Sequence, residues 1–263
     1  MTRKSVLSFD FDFFIREDFM WDFGHSETVN LFQQAAWLAR YTSIDLYKGT
    51  RIEKYADFLP EDTLMELFKA GFALGKNYTY GVADSHRHAY NFIKEFKEPV
   101  DVYHFDAHSD MYSANQNVID CGNWLYKLIQ ENAVNKVTWI YPKWEEEPVG
   151  SVLTKLFELV KGDTGYDISD RIKACSWEDF KKRDTPLAEV PLNGIFLCRS
   201  GVWVPPHHDA RFMALVKQLG MFTKSKWIDY ADVTKRTYPT EAEAIKQRVG
   251  LSKQMKQLEE GGE

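Results

Sequence analysis

The fold of this chain is decided by the stretch VDVYHFDAHSD, residues 100–110. Its first half is rich in valine and aromatic residues, which are typical of a buried β-strand. Asp106, His108 and Asp110 follow at every second position, and each carries a side chain that binds metal ions in proteins. A helix cap formed by the two aspartates is the alternative. The stretch predicts a strand that ends in a metal site.

A second acidic pair lies near the amino terminus. Asp10 and Asp12 stand in SVLSFDFDFF, residues 5–14, whose apolar residues predict another buried strand. Carboxylates among aromatic side chains are costly unless they are paired or coordinate a metal. Two strand ends that each present carboxylates at alternate positions therefore predict a centre with more than one ion.

Strand-like runs alternate with amphipathic segments along the chain of 263 residues. This alternation predicts an α/β fold in three layers, α/β/α, with a mostly parallel sheet. Strands are expected at 5–12, 100–106, 136–141, 171–175 and 194–199. Helices are expected at 27–41, 61–73, 84–96, 121–132, 152–160, 177–183 and 207–219. Ligands of such sheets gather at the carboxyl ends of the strands, where both acidic motifs should lie.

The composition of the chain limits the classes of partner and the cellular location that we expect. The net charge is −6 and lysine and arginine form no long cluster, which argues against nucleic acid and favours a cationic substrate. The three cysteines have no metal-type spacing, which favours a reducing compartment. The chain shows no signal-peptide pattern and no apolar run near the ~18 residues of a membrane span. We therefore expect a cytoplasmic protein with no membrane partner.

A histidine ligand is expected from DSHRH, residues 84–88, at the start of a predicted helix. His86 is the preferred ligand, and His88 is the alternative or supports a ligand from behind. A surface histidine pair is the other interpretation of this segment. His104 lies inside the predicted strand and is interpreted as structural or as a support for the ligands.

These motifs resemble those of the arginase family. Residues 106–110 resemble its Asp-Ala-His motif with an aspartate two residues on, and residues 8–12 resemble its Ser-Phe-Asp-x-Asp motif. Residues 84–86 are more loosely similar to its Asp-His, and residues 121–123 to its Ser-Gly-Asn. The resemblance implies an arginase-deacetylase-like fold, with residues 1–240 as a single catalytic domain and residues 241–263 as a polar carboxy-terminal helix and tail.

A divergent branch of that superfamily is more similar still. Its motifs resemble residues 105–110, Asn123-Trp124, the segment 138–144 and the segment 198–207. The branch includes peptide arginases, which convert arginine to ornithine in ribosomally made precursor peptides. The resemblance touches most of residues 5–210 and implies a precursor peptide as the partner, with a homo-oligomer as a possible assembly.

The resemblance implies two Mn²⁺ ions bridged by a hydroxide that attacks the guanidinium carbon and releases urea. The implied metal ligands are Asp10, Asp12, His86, Asp106, His108 and Asp110. Catalytic roles are assigned to Asp110, which would take the hydroxide proton, and to His25 and His88. His207 and His208 are further candidates for the proton donor. Substrate binding is assigned to Glu27, Asn123 and Asp209, with Asp22 as a competitor of Glu27.

Two features depart from ordinary arginases. The Ser-Phe-Asp-x-Asp pair precedes the Asp-Ala-His motif instead of following it, as in a permuted chain. Leu125 stands where ordinary arginases place a catalytic histidine. Two other functions therefore stay open. One is a zinc-dependent deacetylase of the same fold, which the pair His207-His208 favours slightly. The other is a non-catalytic binding module with a vestigial metal site, which Leu125 favours.

Overall fold

Seven strands pair into one sheet in the part of the chain that the structure describes. This computed structural model describes residues 4–15, 30–48, 72–112, 118–142, 149–165, 167–182, 190–220, 228–229, 233 and 236–260. The strands are β1 (Ser5–Asp10), β2 (Phe72–Ala83), β3 (Val100–Phe105), β4 (Val134–Tyr141), β5 (Ile172–Ser176), β6 (Val190–Cys198) and β7 (Ile228–Asp229). Their order is β5-β4-β3-β1-β6-β2-β7, and these pairings are all parallel. The predicted α/β class with a parallel sheet is confirmed.

Helices surround this sheet. They are α1 (Asn30–Lys48), α2 (His88–Lys94), α3 (Trp124–Gln130), α4 (Val149–Thr164), α5 (Trp177–Lys181), α6 (Asp209–Gly220) and α7 (Glu241–Glu260). Two short 3-10 helices cover Phe11–Phe14 and Pro206–His208. Within the described ranges, no helix is long and apolar enough to cross a membrane.

The side chains of the central strands point alternately into two hydrophobic cores. Leu7 and Phe9 of β1 lie in the core shared with α5 and α6, whereas Val6 lies in the core shared with α2, α3 and α4. In β6, Ile195 and Phe196 divide in the same way. Because strand side chains alternate with a period of two, both faces of the sheet are buried. The three-layer α/β/α arrangement is confirmed.

The central strands end at one level. Phe9 of β1 pairs with Phe105 of β3, and Asp10 pairs with Cys198 of β6. Ala83 at the end of β2 also pairs with Cys198. The residues that follow these strand ends therefore meet at one edge, where parallel sheets hold their ligands.

The strand β2 is absent from the sequence prediction. The helix predicted over 61–73 is wrong at Phe72 and Ala73, which begin β2, and residues 61–71 lie outside the described ranges. The strand contains two glycines, a lysine and an asparagine, so its own β propensity is low. Hydrogen bonding to β6 on one side and to β7 on the other stabilises the strand in place of its own β propensity.

Other elements differ from the predictions at their ends. The strand predicted over 5–12 ends at Asp10, because the Asp10 side chain accepts a hydrogen bond from the Asp12 backbone N–H and starts a 3-10 helix. The helix predicted over 84–96 is confined to α2, since Asp84–Arg87 form a bend and a turn. The helix predicted over 27–41 extends to Lys48, and residues 27–29 lie outside the described ranges.

The polar carboxy-terminal segment forms a helix as predicted. It is α7, whose described side chains are exposed, and it contacts α1. The division of the chain at residue 240 stays a prediction.

The core of the sheet supplies the first test. We expect Ile195→Ala to lower the free energy of unfolding by about 2–5 kcal/mol, because Ile195 is fully buried in β6 and its truncation leaves a cavity. The matched control is Ile245→Ala on α7, which removes a side chain that is 47% exposed and should change stability by less than about 0.5 kcal/mol. Urea unfolding followed by circular dichroism measures both. Equal losses in the two variants would contradict this placement of the core.

Candidate metal centre

Three carboxylates surround one histidine nitrogen at the carboxyl edge of the sheet. The Nδ1 atom of His86 lies 3.0 Å from Asp10 Oδ2, 2.9 Å from Asp106 Oδ2 and 2.9 Å from Asp110 Oδ2. All four side chains are at most 5% exposed. We call His86, Asp10, Asp106 and Asp110 the inner group.

A second set of ligand atoms lies beside the inner group and shares Asp106 with it. His108 Nδ1 is 3.2 Å from Asp12 Oδ2 and 3.6 Å from Asp106 Oδ1. We call Asp12, Asp106 and His108 the outer group. Asp106 thus directs Oδ2 to the inner group and Oδ1 to the outer group. The His108 side chain is 31% exposed, so the centre is accessible at its outer end.

The inner group is fixed by contacts from several strands and from α3. Ser8 Oγ on β1 lies 2.8 Å from His86 Nε2, which leaves Nδ1 to face the carboxylates. Asp110 has a left-handed backbone, with φ of 52°, and its Oδ2 accepts a hydrogen bond from the Trp124 indole N–H. Aspartate tolerates this conformation better than most residues, yet it still costs energy. Ser200 Oγ, after β6, donates to Asp10 Oδ2.

Burial and mutual repulsion shift the acidities of the centre. Burial, together with the charges of Asp12 and Asp10, raises the pKa of Asp106 to about 6. Burial and the charge of Asp106 raise the pKa of Asp110 to about 7. Burial also opposes ionisation of Asp10, but attraction from His86, with hydrogen bonds from Ser200 and the Asp12 backbone N–H, holds its pKa below the usual value. The carboxylates raise the pKa of His86 well above its usual value, although burial opposes this.

The outer group fits a divalent cation, because one ligand atom from each of Asp12, Asp106 and His108 lies within 4.8 Å of the others. His86 Nδ1 and Asp106 Oδ2 are buried and lack a hydrogen-bond partner among the described residues, although they lie 2.9 Å apart. Neighbouring ligands of an octahedral ion with bonds of about 2.1 Å stand about 3 Å apart, as these atoms do. Within the described ranges, the ion pairs of Asp10, Asp106 and Asp110 go to histidines alone. The oxygen and imidazole donors suit Mn, Fe or Zn.

His104 lies closer to the ligand atoms than its position in the strand suggests. Its Nε2 is 3.1 Å from the His108 carbonyl oxygen and 3.4 Å from Asp106 Oδ2. Since a carbonyl only accepts, Nε2 carries the hydrogen that is donated. Burial holds the pKa of His104 well below its usual value, so the ring is neutral. His86, His104 and Asp106 also form a trio whose atoms are close enough for one ion. Because Nε2 carries a hydrogen, it cannot coordinate an ion, and these contacts support the interpretation of His104 as a support for the ligands.

The rings of His86 and His88 have different surroundings. His86 supplies the ring nitrogen that faces three carboxylates, whereas His88 begins α2 and its Nε2 accepts from Arg87 Nε at 3.5 Å. Burial lowers the pKa of His88. The catalytic role assigned to His88 has no support from these contacts.

Two residues predicted to bind substrate are engaged elsewhere. Both side-chain atoms of Asn123 hydrogen-bond to the loop before it, Oδ1 with the Asp120 N–H at 2.9 Å and Nδ2 with the Val118 carbonyl at 2.9 Å. Asp209 is fully buried and pairs with Arg199 and Arg236. In this arrangement both side chains stabilise the chain itself, because their polar atoms already have internal partners.

The position of the missing catalytic histidine lies in the core. Leu125 is fully buried in α3 among the side chains that cover one face of the sheet. His207 Nδ1 lies 2.6 Å from the Tyr41 hydroxyl, and burial lowers the pKa of His208 to about 3. His208 is therefore neutral and a poor acid near neutral pH. His25, Glu27 and the competing Asp22 lie outside the described residues, so their roles stay predictions.

Three supporting residues have no role in the sequence prediction. Ser8 and Ser200 belong to quoted motifs, and Trp124 follows Asn123, yet no local pattern assigns them to a carboxylate or a histidine. The period of two does place Ser8 on the same face of β1 as Asp10, which is the one signal that could have identified it.

Comparison with known proteins adds little. No family model and no curated protein matches the chain. One solved structure, described as a hypothetical agmatinase from Burkholderia thailandensis, is 13% identical, and the alignment covers 92% of this chain and 80% of that chain with a TM-score of 0.26. A likeness with so low a TM-score supports neither a fold family nor an activity.

Metal binding should depend steeply on pH. The raised pKa values of Asp106, Asp110 and His86 mean that protons must leave before a cation binds. We expect Mn²⁺ affinity to fall as the pH is lowered, above pH 7 because His86 gains its proton there and further below pH 7 because Asp110 and Asp106 do, by about ten-fold per pH unit for each proton displaced. Calorimetry at several pH values, in buffers of different ionisation enthalpy, measures affinity and proton release. An affinity that is independent of pH, with no proton released, would contradict these shifts.

The role of His104 can be tested by a matched pair of variants. His104→Leu removes the N–H that reaches His108 and Asp106, so Mn²⁺ affinity should fall about 10- to 100-fold. His104→Gln keeps an N–H donor and should retain most of the affinity. Calorimetry measures binding, and thermal unfolding of the metal-free proteins reports any loss of stability. Wild-type affinity in the leucine variant would rule out this role.

Proposed function

We propose that this protein is a metal-dependent hydrolase with two ions that removes urea from a guanidinium group. The observation that carries the proposal is the position of Asp106, whose two oxygens face two adjacent sets of ligand atoms. One carboxylate shared between two sets is an arrangement that suits a pair of neighbouring ions. The motif resemblance to arginases supports Mn²⁺ as the ion.

The ligands divide between the two ions according to the groups. His86, Asp10, Asp106 and Asp110 would hold the inner ion, and Asp12, Asp106 and His108 the outer ion. Such ions, when bound, lower the pKa of a shared water so that it becomes a nucleophile at neutral pH. His104, Ser8 and Ser200 would keep the ligands in place, since each of them contacts a ligand directly.

The overall charge of the chain favours a cationic substrate. Its net charge is −6, which attracts cations and repels anions. We propose arginine within a precursor peptide as the substrate and ornithine as the product, because the motifs resemble those of peptide arginases. Glu27 remains the proposed partner of the guanidinium.

The chain must also move two protons. Asp110 is the proposed acceptor of the proton from the attacking water, because its carboxylate lies among the atoms that would hold the inner ion. The leaving amine needs a proton donor, and Leu125 cannot supply one. His25 remains the proposed donor, with water as the substitute.

The proposal is tested with the manganese-loaded protein and arginine-containing peptides. Each conversion should release one urea and lower the peptide mass by one carbon, two nitrogens and two hydrogens. Mass spectrometry and a urea assay measure this, with free arginine in parallel. Asp106→Ala should lose both ions and at least about 1,000-fold in rate, since the shared ligand is gone. Retention of two ions by this variant would contradict the ligand set.

Other outcomes identify the competing functions. One zinc per chain by elemental analysis, with deacetylation of an acetyl-lysine peptide or an acetylated polyamine, would favour a deacetylase. Full manganese loading without urea from any peptide or from free arginine would favour a binding module.

A further inference from the structure

The accessible end of the metal centre is bordered by a tryptophan. His108 is 31% exposed, whereas the side chains of the inner group and of Asp12 are at most 5% exposed. The ring centroid of Trp203 lies 5.5 Å from that of His108, with an angle of 44° between the rings. Trp203 itself is 8% exposed. A substrate that reaches the outer group by way of His108 therefore passes close to this indole.

The backbone that carries Trp203 is held by buried donors. Trp37 Nε1 donates to the Gly201 carbonyl at 2.7 Å, and Arg40 donates to the Val202 carbonyl. Arg236 donates to the carbonyls of Gly201 and Val204. The charge-assisted bonds among these are stronger than ordinary ones. We call residues 201–204 the Trp203 segment. These bonds fix its backbone, so the position of Trp203 is preorganised.

The packing beneath this segment is equally close. A Cβ atom at position 201 would lie 2.6 Å from Asp84 Oδ1, so the chain passes directly over the buried pair of Asp84 and Arg199. Asp84 is two residues from His86, and Ser200, which donates to Asp10, adjoins the segment. The Trp203 segment and the inner group are therefore held in place by neighbouring residues, Asp84 beneath the segment and Ser200 beside it.

We propose that Trp203 is a specificity-determining residue that receives the planar cation of the substrate on its indole ring. This inference rests on the proposed function. Indole is the strongest aromatic partner for a cation, and a guanidinium also stacks on it because both are planar. Carboxylates near the ions attract positive charge of any shape, but a ring selects a flat cation over a compact ammonium. The residue would thus favour arginine side chains over lysine side chains.

Kinetics of two variants test this role. Trp203→Phe keeps an aromatic ring and should raise the KM for an arginine peptide about 3-fold, and Trp203→Leu about 10- to 30-fold, with kcat within about two-fold of wild type. Manganese affinity by calorimetry should stay unchanged in both. Tyr90→Leu, which removes a partly exposed ring from α2, is the control and should leave KM unchanged.

Three results would overturn the inference. The first is a KM that is unchanged in Trp203→Leu. The second is an equal rise in Trp203→Phe and Trp203→Leu, which would mean that the ring's aromatic character has no effect. The third is a loss of manganese affinity that accounts for the change, which would make Trp203 a support for His108 alone.

The test also works if wild-type protein releases no urea, in which case the proposed function fails by itself. Binding of methylguanidine and of methylammonium to the manganese-loaded protein is then compared by saturation-transfer NMR. Methylguanidine should bind more strongly than methylammonium, and Trp203→Leu should remove that preference. No preference in the wild-type protein would overturn the inference.

Discussion

The burial of negative charge around His86 is the constraint on which the site depends. Asp10, Asp12, Asp106 and Asp110 are each at most 5% exposed, and a buried carboxylate without a partner is costly. One imidazole can carry a single positive charge, so it balances one of the four at most. Protonation of Asp106 and Asp110, whose pKa values are raised, reduces this excess of negative charge. A pair of divalent cations would balance it instead.

The order of the strands in the sheet brings these carboxylates together. The strand β1 lies between β3 and β6, and the carboxyl ends of all three are level. The acidic motifs stand almost a hundred residues apart in the chain, yet they follow neighbouring strands. Because position in the sheet sets the distances, the order of the motifs along the chain matters little. The strands, and not the order of the motifs, therefore decide which of these residues meet.

A second network of charges holds the surroundings of the site. Arg199 pairs with Asp84 and Asp209, and Arg236 pairs with Asp209. Both arginines are buried, so their charges are balanced within the chain. This network ties the bend before His86 to the segment that follows β6. Its aspartates thus have a structural task, which separates them from the carboxylates that face His86.

The sequence by itself determined the parallel α/β layers and the set of acidic and histidine residues at the strand ends, because apolar runs that alternate with amphipathic segments, and ligands at alternate positions, are local patterns. It did not determine β2, whose glycines and polar residues give no strand signal and which forms by pairing with β6 and β7. Only the tertiary structure showed that Asp106 faces two groups, that His86 rather than His88 meets the carboxylates, and that Asp209 pairs with arginines. These are contacts between residues far apart in the chain, and the spacing within one motif carries no information about them.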